Sequence, residues 1–418
     1  MVAKSSLGVL LSAAMLSGTA FPKAGNDRNA TPFSIWLIGG GRDSVTICAG
    51  YAVDYNRLVF IKSSGGTFSA SLTFSIDAMD SVAGFNRHHS KCKEIAAAGY
   101  EQTRSGKSRA ADFVLLRLPR SVFRITAELR DDVQRITYAN TTVRRNFQDA
   151  DSSGFSTLMF FDSVSGRRYY PAMRPGAAIF PKPIRYGIVS WDTSSRVSRT
   201  DLLTHDGKLI VSAANPTRMA AGFQPSSSGT GFYFTAVPDS MSCFISGTIP
   251  ADTLPEGHYQ LRVRGDSGEK SFTFHYIWSD KPLTLRKFDT ALSLLRYIVP
   301  DSLYSEIESG NESERQAKFD AFWKAMDPTP GTAYNELEAQ YYERADYANA
   351  EFGTIGTRDG ALTDRGKAYI LYGKPDSIRR EYGDDGTFEI WSYPGLRKGL
   401  VFREQGFGEF KLYRTENL

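Results

Sequence analysis

Apolar and polar side chains alternate along most of the first part of the chain. The clearest run is residues 67–76 (TFSASLTFSI), in which nearly every second residue is apolar. Such alternation places one face of a β-strand in a core and the other in water. Several strands at close spacing predict an antiparallel β-sandwich domain over residues 21–150. The other strands predicted in this domain are residues 34–38, 57–62, 113–118, 122–129 and 134–138.

A second β-rich block follows, and we assign residues 151–280 to a second β-sandwich domain. The block opens with a proline-rich piece. Because proline removes backbone N–H donors, we expect a linker or an edge segment there rather than a central strand. The prolines of this piece are Pro171, Pro175, Pro181 and Pro183.

Residues 257–278 contain two alternating strands on either side of a Gly-Asp-Ser-Gly loop, which is typical of a β-hairpin. If Arg264 pairs with Glu269, His258 lies directly opposite His275. Two imidazoles are one or two ligands short of a zinc site, so we interpret them as a solvent-facing pair and predict no metal site. The same register places Tyr259 opposite Phe274 and Leu261 opposite Phe272 on the core face.

After about residue 281 the apolar residues recur every three or four positions, as in amphipathic helices. We predict helices over residues 288–299, 312–326 and 332–352, the first two ended by prolines. The pattern then returns to strands. Helices followed by an antiparallel sheet predict an α+β module over residues 281–418, so the fold class is mainly β with a C-terminal α+β module. The predicted strands of the module are residues 368–372, 378–382, 388–393, 399–402 and 407–413.

The composition is that of an ordinary globular protein: 418 residues, 41% hydrophobic and 23% charged, enough for about three domains. The net charge of +4 is too near balance for a dedicated nucleic-acid-binding protein. The charge is unevenly spread, because residues 301–418 carry 15 Lys/Arg and 22 Asp/Glu, a net of −7, which leaves +11 for residues 1–300. We interpret these as two solvated surfaces of opposite sign. The alternative is a basic face for an acidic glycan or a membrane headgroup.

The N-terminus has the order of a cleavable export signal. Lys4 precedes an apolar stretch of ten residues at 7–16, and small residues follow at 18–20. Ten apolar residues are too few to cross a bilayer as a helix. We therefore predict that residues 1–20 are a signal peptide, and that no transmembrane segment follows it.

Cysteine and histidine are scarce. Three cysteines, Cys48, Cys92 and Cys243, allow at most one intramolecular disulfide. A pair between Cys48 and Cys92 is conceivable in an exported protein, but a chain of this length has core enough without it, so we expect free thiols. None of the five histidines lies near a Ser or Cys in a recognisable nucleophile motif, which argues against a triad hydrolase.

The last third of the chain carries a series of short motifs, at 322–330 (FWKAMDPTP), 335–336 (NE), 342–344 (YER), 347–349 (YAN), 352–353 (FG), 362–376 (LTDRGKAYILYGKPD) and 389–391 (EIW). Together these motifs are similar to the GWxTD domain family. The resemblance implies an exported bacterial protein with β-rich regions ahead of the domain, in a family without an established activity. The name-giving motif falls on residues 360–364 (GALTD), where Ala361 stands in place of the family tryptophan; either an aromatic contact is lost or a neighbour such as Phe352 fills the gap.

The polar residues of these motifs are the candidate site. Aspartate and threonine at turns accept backbone N–H bonds, and each arginine presents a planar fork suited to a carboxylate. We predict a structural network in which Arg365 pairs with Glu336 or Glu343. The alternatives are a ligand or partner site, and a pair of carboxylates acting as acid and base. The candidate residues are Asp327, Glu336, Glu343, Arg344, Asn349, Thr363, Asp364, Arg365, Tyr372 and Asp376.

The sequence thus favours a non-catalytic, exported binding or assembly protein of the bacterial cell envelope. It would lie in the periplasm, at the outer membrane or outside the cell, without a cofactor, and its partner would be an envelope protein or a glycan and not nucleic acid. The alternatives are a secreted hydrolase that uses carboxylates of the C-terminal domain, and a carbohydrate-binding protein with exposed aromatic side chains as stacking surfaces.

Overall fold

The computed structural model describes residues 33–40, 43–106, 108–147, 158–174, 176–190, 197–214, 216–228, 231–239, 242–266, 268–383, 386–406 and 408–418. These form two compact units, one ending at Ser279 and the other running from Asp280 to Leu418. The predicted signal peptide lies outside the described residues. No helix among the described residues is long and apolar enough to span a membrane.

The first half of the first unit is two antiparallel sheets that enclose one core. One sheet has the strand order β1-β2-β6, and the other has the order β3-β4-β7-β8 with β5 paired to the free side of β4. The alternating residues of β4 fill the core between them, with Leu72, Phe74 and Ile76 fully buried. The strands are β1 (Phe33–Gly40), β2 (Ser44–Asp54), β3 (Ile61–Lys62), β4 (Phe68–Asp80), β5 (Asn86–Ala97), β6 (Arg109–Pro119), β7 (Val122–Asp131) and β8 (Ile136–Asn146), with a one-turn helix α1 (Tyr100–Thr103) after β5.

The second half of the unit adds a seven-stranded and a five-stranded sheet. Their orders are β15-β18-β12-β9-β10-β17-β16 and β11-β20-β19-β13-β14. The strands are β9 (Met159–Ser165), β10 (Arg168–Pro171), β11 (Ala177–Phe180), β12 (Ile184–Ser190), β13 (Val197–Thr204), β14 (Leu209–Ala214), β15 (Thr217–Met219), β16 (Ala221–Ser228), β17 (Gly231–Pro238), β18 (Cys243–Ile249), β19 (Gly257–Gly265) and β20 (Gly268–Trp278).

The β1-β2-β6 sheet is buried on both faces, which joins the two β-rich blocks. Tyr51 and Ile47 of β2 face the first core, whereas Cys48 lies in a second core with Trp36 of β1 and Phe232 of β17. The Trp36 and Phe232 rings are stacked, with centroids 5.4 Å apart. The two blocks therefore form one compact unit. The predicted division of this unit into two domains near residue 150 stays a prediction.

The hairpin prediction is confirmed. β19 and β20 pair in the expected register, with Arg264 opposite Glu269 and His258 opposite His275, and the ladder extends to Gly265 and Gly268. The three cysteines are free thiols, two of them buried.

The prediction for the proline-rich piece was partly wrong. β11 is an edge strand as expected, but β10, which ends at Pro171, lies inside the seven-stranded sheet. Pro171 is tolerated there because the pairing of β10 with β9 shifts register between Tyr170 and Pro171.

The second unit packs helices against a four-stranded antiparallel sheet of order β21-β22-β23-β24, as the predicted α+β module requires. Asn335 caps α5: its side chain accepts hydrogen bonds from the amides of Leu337 and Glu338. The elements are α2 (Phe288–Leu294), α3 (Asp301–Glu308), α4 (Glu312–Met326), α5 (Glu336–Glu351), α6 (Asp364–Tyr372), β21 (Ser377–Gly383), β22 (Gly386–Tyr393), β23 (Lys398–Glu404) and β24 (Phe410–Asn417).

Several local predictions were wrong. Residues 368–372 form the second half of helix α6 rather than a strand, because a short apolar run fits either structure and packing against α5 decides. Residues 57–62 contain a 3-10 turn and only the two-residue strand β3. The predicted helix over residues 288–299 is α-helical only to Leu294 and continues as a 3-10 turn to Tyr297. Helix α3 was missed, because Pro300, which the pattern indicated only as the end of a helix, occupies its N-cap position.

Candidate functional site

The connection between α4 and α5 holds the first two candidate residues. Asp327 caps the end of α4 and accepts a hydrogen bond from the Thr329 amide at 2.8 Å, the Asx-type turn that the sequence predicts. The Thr329 hydroxyl donates to Glu336 of α5 at 2.6 Å. Asn335 donates to the carbonyl of buried Trp323 at 2.7 Å. These bonds fix the angle at which α5 leaves the turn.

The residues in place of the name-giving motif form a 3-10 turn at Gly360–Leu362, followed by α6. Asn349 of α5 accepts a hydrogen bond from the Ala361 amide at 2.9 Å. Thr363 is the N-cap of α6; its hydroxyl accepts from the Gly366 amide at 3.0 Å and donates to the Gly360 carbonyl at 2.7 Å. Thr363 therefore performs the turn role predicted for it.

Ala361, at the position of the family tryptophan, is buried in the helical core. Its carbonyl accepts a hydrogen bond from the Tyr297 hydroxyl at 3.0 Å. Phe352 packs against this helical core and also against Tyr369 and Trp391, with ring centroids 5.7 and 5.4 Å away. The aromatic side chain bonded to the Ala361 backbone is thus Tyr297.

Two glycines of the motif region allow backbones to touch. A Cβ on Gly360 would lie 2.1 Å from the carbonyl oxygen of Ala348, near the end of α5. A Cβ on Gly366 would lie 1.9 Å from the carbonyl oxygen of Gly360. Because no side chain fits at either contact, the glycines set the distance at which α6 packs against the motif turn and α5.

Arg365 has a different partner from the predicted one. Its guanidinium Nη1 lies 3.5 Å from Oε1 of Glu389 on β22, and Nη2 donates to the Gly408 carbonyl at 3.1 Å. The predicted pairing with Glu336 or Glu343 of α5 is wrong, because the guanidinium is bound by Glu389 and the Gly408 carbonyl instead. The guanidinium also lies over the Phe410 ring, 4.4 Å from its centroid.

Glu389 is the centre of this network. It is 3% exposed, and its carboxylate accepts hydrogen bonds from Arg380 Nε and from the Trp391 indole, both at 2.9 Å. Burial lowers the pKa of Arg365, and the negative charge of Glu389, which by itself would raise that pKa, only partly offsets this. The sequence contained a signal for Glu389: it stands two residues before Trp391 in a strand, and alternate residues share a face.

Arg344 pairs with main-chain oxygens instead of a carboxylate. It is 5% exposed, and its Nη1 donates to the carbonyls of Ile370 and Leu371 at 3.3 and 3.5 Å. These carbonyls belong to the last turn of α6, where a cation is stabilised by the negative end of the helix dipole. Burial lowers the pKa of Arg344. The predicted bidentate bond between Arg344 and a carboxylate is wrong, because the end of a helix supplies the negative charge.

The remaining candidates tie the helices to the sheet. Asp364 accepts a hydrogen bond from the Leu412 amide of β24 at 2.7 Å. The Tyr372 hydroxyl lies 3.1 Å from the Lys398 ammonium, which donates to it. Asp376 lies at the entry to β21, where its amide donates to the Ser392 carbonyl of β22. The candidate residues are therefore spread along the contacts of the module and are not gathered in one cleft.

Asp346, which the sequence did not single out, anchors the start of the unit to α5. Its carboxylate accepts bonds from the amides of Leu283 and Thr284 at 2.5 and 2.7 Å, and from the Thr284 hydroxyl at 2.6 Å. On sequence grounds Asp346 belongs to the polar face of α5, so nothing marked it as an anchor.

The outer strands of the sheets differ in the contacts made at their free backbone edges. In the first unit β5 pairs, among the described strands, with β4 alone, and its side chains Lys91 and Lys93 bond to Asp112 and to the Ala111 carbonyl of β6. In β24, an irregularity interrupts the pairing with β23, and the amide of Leu412 is bonded to α6. β21 pairs with β22 without a register shift, and all seven of its residues are exposed. Among the described residues, its outer backbone edge has no main-chain partner.

A third histidine, His205, lies near the predicted pair of His258 and His275. The His258 and His275 rings have centroids 4.0 Å apart, and His205 lies 5.9 Å from His258. Burial and the neighbouring His258 lower the pKa of His275. No group of three or more His, Cys, Asp or Glu side chains that could hold a metal occurs in the described part of the chain.

Exposed Tyr100 and two half-buried aromatic side chains, Phe60 and Phe68, line a recess in the first unit together with Asn56 and Arg104. Tyr100 is 58% exposed, and the Arg104 guanidinium lies 5.9 Å from its ring centroid. The carbohydrate-binding alternative would use such a surface, because sugar rings stack on aromatic faces. That alternative remains a prediction.

Residues 257–405 match the GWxTD domain family, which confirms the resemblance. No curated protein matches the chain. Among solved structures, the chain is similar to a red sea bream transglutaminase, at 10% identity and a TM-score of 0.17, over 59% of this chain and 31% of that one. It is also similar to the BSP domain of a biofilm-associated protein, at 10% identity and a TM-score of 0.17, over 66% of this chain and 55% of that one. The chain spans less than two thirds of either structure.

Proposed function

The chain carries a GWxTD domain over residues 257–405, and we propose that it acts as an exported, non-catalytic binding or assembly protein of the bacterial cell envelope. The observation that carries this proposal is the open edge of β21. An edge strand with unpaired N–H and C=O groups is a template on which another strand can add. We propose that β21 is the contact through which the module holds its partner.

The chemistry of the motif residues supports binding over catalysis. Asp364 is bonded to a backbone amide, and the Arg365 guanidinium is paired with Glu389. Glu336 accepts the Thr329 hydroxyl. Groups held in this way fix the module's shape, whereas general acid–base chemistry needs carboxyl groups that face a substrate. A hydrolase that used Glu336 or Asp364 would have to use groups that already serve the fold.

A photo-crosslinking residue in place of Tyr382 tests the proposed contact. Tyr382 is 78% exposed on β21, so we expect irradiation of producing cells to give a covalent adduct with another polypeptide. The matched control is the same substitution at Tyr413, which is 55% exposed on β24 at the other edge. We expect a much weaker adduct there, because the Leu412 amide is already bonded to Asp364.

A second substitution shows whether the adduct reports strand addition. Lysine at Ile378, also exposed on β21, places a charge on the edge of the kind that natural sheets use to prevent pairing. We expect Ile378→Lys to reduce the Tyr382 adduct. An absence of adduct at Tyr382, or an adduct that Ile378→Lys leaves unchanged, would contradict the proposal and favour the enzymatic alternative.

Export is the second part of the proposal, supported by the order of charged, apolar and small residues at 1–20. We expect the mature protein recovered from the envelope or the medium to begin near Phe21. N-terminal mass spectrometry measures this directly. Replacing the apolar residues Leu10 and Leu11 with Asp should trap the uncleaved chain in the cytosol. A mature protein that retains residues 1–20 would overturn this part.

A further inference from the structure

We infer that the strand which pairs with β21 is β21 of a second copy of this chain, giving a two-fold symmetric dimer with a continuous eight-stranded sheet. The inference rests on the proposed function and names the partner of the same edge. Homodimers with two-fold symmetry are the commonest assemblies of soluble proteins, and their contacts must be self-complementary. The sequence of β21, Ser-Ile-Arg-Arg-Glu-Tyr-Gly, has that property.

The complementarity appears when the β21 strands of two copies pair antiparallel with Arg380 of one copy opposite Arg380 of the other. Arg379 then lies opposite Glu381 of the second copy, and Glu381 opposite its Arg379. The side chains of Arg379 and Glu381 are 71% and 53% exposed, and within one strand they are already 3.0 Å apart. Opposite charges placed directly across a ladder stabilise the pairing, whereas like charges destabilise it. The dimer therefore gains two cross-strand ion pairs.

Neighbouring registers lose this match. A two-fold axis perpendicular to a sheet pairs residues on the same face, so the register can change only in steps of two. Moving the second strand by two residues in one direction puts Arg379 opposite Arg379 of the second copy. Moving it by two residues in the other direction puts Glu381 opposite Glu381 of the second copy. Neither register forms an ion pair between Arg379 and Glu381, and each places like charges opposite each other on the face that carries these two residues. The charges of β21 thus select one register, which is what a specific contact requires and an adventitious edge lacks.

The other face of the strand is compatible with the same register. Arg380 would meet Arg380 of the second copy, but each guanidinium is bonded to the buried carboxylate of its own Glu389 at 2.9 Å. Ile378 would lie opposite Tyr382 of the second copy, twice in the dimer. These are large hydrophobic side chains that are 55% and 78% exposed in the single chain. Pairing therefore covers apolar surface on one face and forms ion pairs on the other.

The interface is small, which sets the form of the experiment. One seven-residue strand on each side buries less than the roughly 800 Å² per partner of a standard complex. We therefore expect a reversible dimer whose population rises with concentration. Sedimentation equilibrium of the full chain, over a series that spans the micromolar range, measures the dissociation constant.

Charge reversal provides the test. Arg379→Glu places two glutamates opposite each other at both ends of the pairing, and Glu381→Arg does the same with arginines. We expect each single variant to weaken dimerisation about tenfold. The double variant Arg379→Glu/Glu381→Arg restores both ion pairs with their signs exchanged, so we expect it to dimerise as the natural chain does. Recovery in the double variant would not occur if the single changes acted through misfolding.

Arg414→Glu is the matched control, because Arg414 and Glu416 form the equivalent exposed pair on β24, 2.7 Å apart. We expect it to leave the dissociation constant unchanged. A chain that stays monomeric throughout, a dimer weakened only by Arg414→Glu, or a double variant no better than the singles would overturn self-pairing. A Tyr382 adduct with a different protein would also overturn it while leaving the proposed function intact, whereas no adduct at all would contradict both.

Discussion

Replacing Glu389 with alanine should strongly destabilise the C-terminal unit. The change leaves the Arg365 guanidinium, whose side chain is 11% exposed, without its carboxylate, and the Trp391 indole without its acceptor. Breaking a buried ion pair from one side costs about 3 to 5 kcal/mol. For a unit of this size, that should lower the melting temperature by about 10 °C.

Calorimetry of the full chain measures the shift, and amide hydrogen exchange in β22 and α6 assigns it to the C-terminal unit. Arg365→Ala should cost a similar amount, because it leaves Glu389 buried with only Arg380 as a cationic partner. The double variant should cost less than the sum of the singles, since neither charge is then left alone. Glu416→Ala, which breaks an exposed pair on the same sheet, should change the stability by less than about 1 kcal/mol. Equal effects of Glu389→Ala and Glu416→Ala would show that the Glu389 network contributes nothing beyond a surface ion pair.

Adding one methyl group at Gly366 should be comparably damaging. The new Cβ would lie 1.9 Å from the Gly360 carbonyl oxygen, so α6 must move away from the motif turn. Overpacking at a backbone contact should cost about 3 kcal/mol or more. Alanine otherwise stabilises a helix by about 1 kcal/mol relative to glycine, so a loss of stability identifies the steric contact as its cause.

Gly360→Ala should have an effect of the same kind, because its Cβ would lie 2.1 Å from the Ala348 carbonyl. The matched control is Gly331→Ala, where a methyl group would meet nothing within 4 Å. We expect the control to unfold at the same urea concentration as the natural chain and the other two to unfold at clearly lower concentrations. If Gly366→Ala were as stable as the control, the close packing of α6 on the motif turn would be wrong.

Among the candidate residues, the short-range turn and cap bonds were predicted correctly, but the long-range partners were not. Thr363 and Asp327 form the turn and cap bonds expected of them, because such bonds reach only two or three residues along the chain. Arg365 and Arg344 reach across the module, to Glu389 and to the end of α6. A residue type shows which partners would suit it, but only the packing of α6 on β22 and α5 brings one of them within reach.

The sequence by itself determined the features that depend on local periodicity. The alternation in residues 257–278 specified the hairpin register, because shifting one strand by a residue would turn its core face to water. The 3.6-residue period specified α4 and α5, and the ordered motifs identified the domain. Tertiary structure alone decided that residues 368–372 are helical, that the β1-β2-β6 sheet is buried on both faces, and that Glu389 holds Arg365. Periodicity records that one side of an element is covered, whereas these features depend on which element covers it.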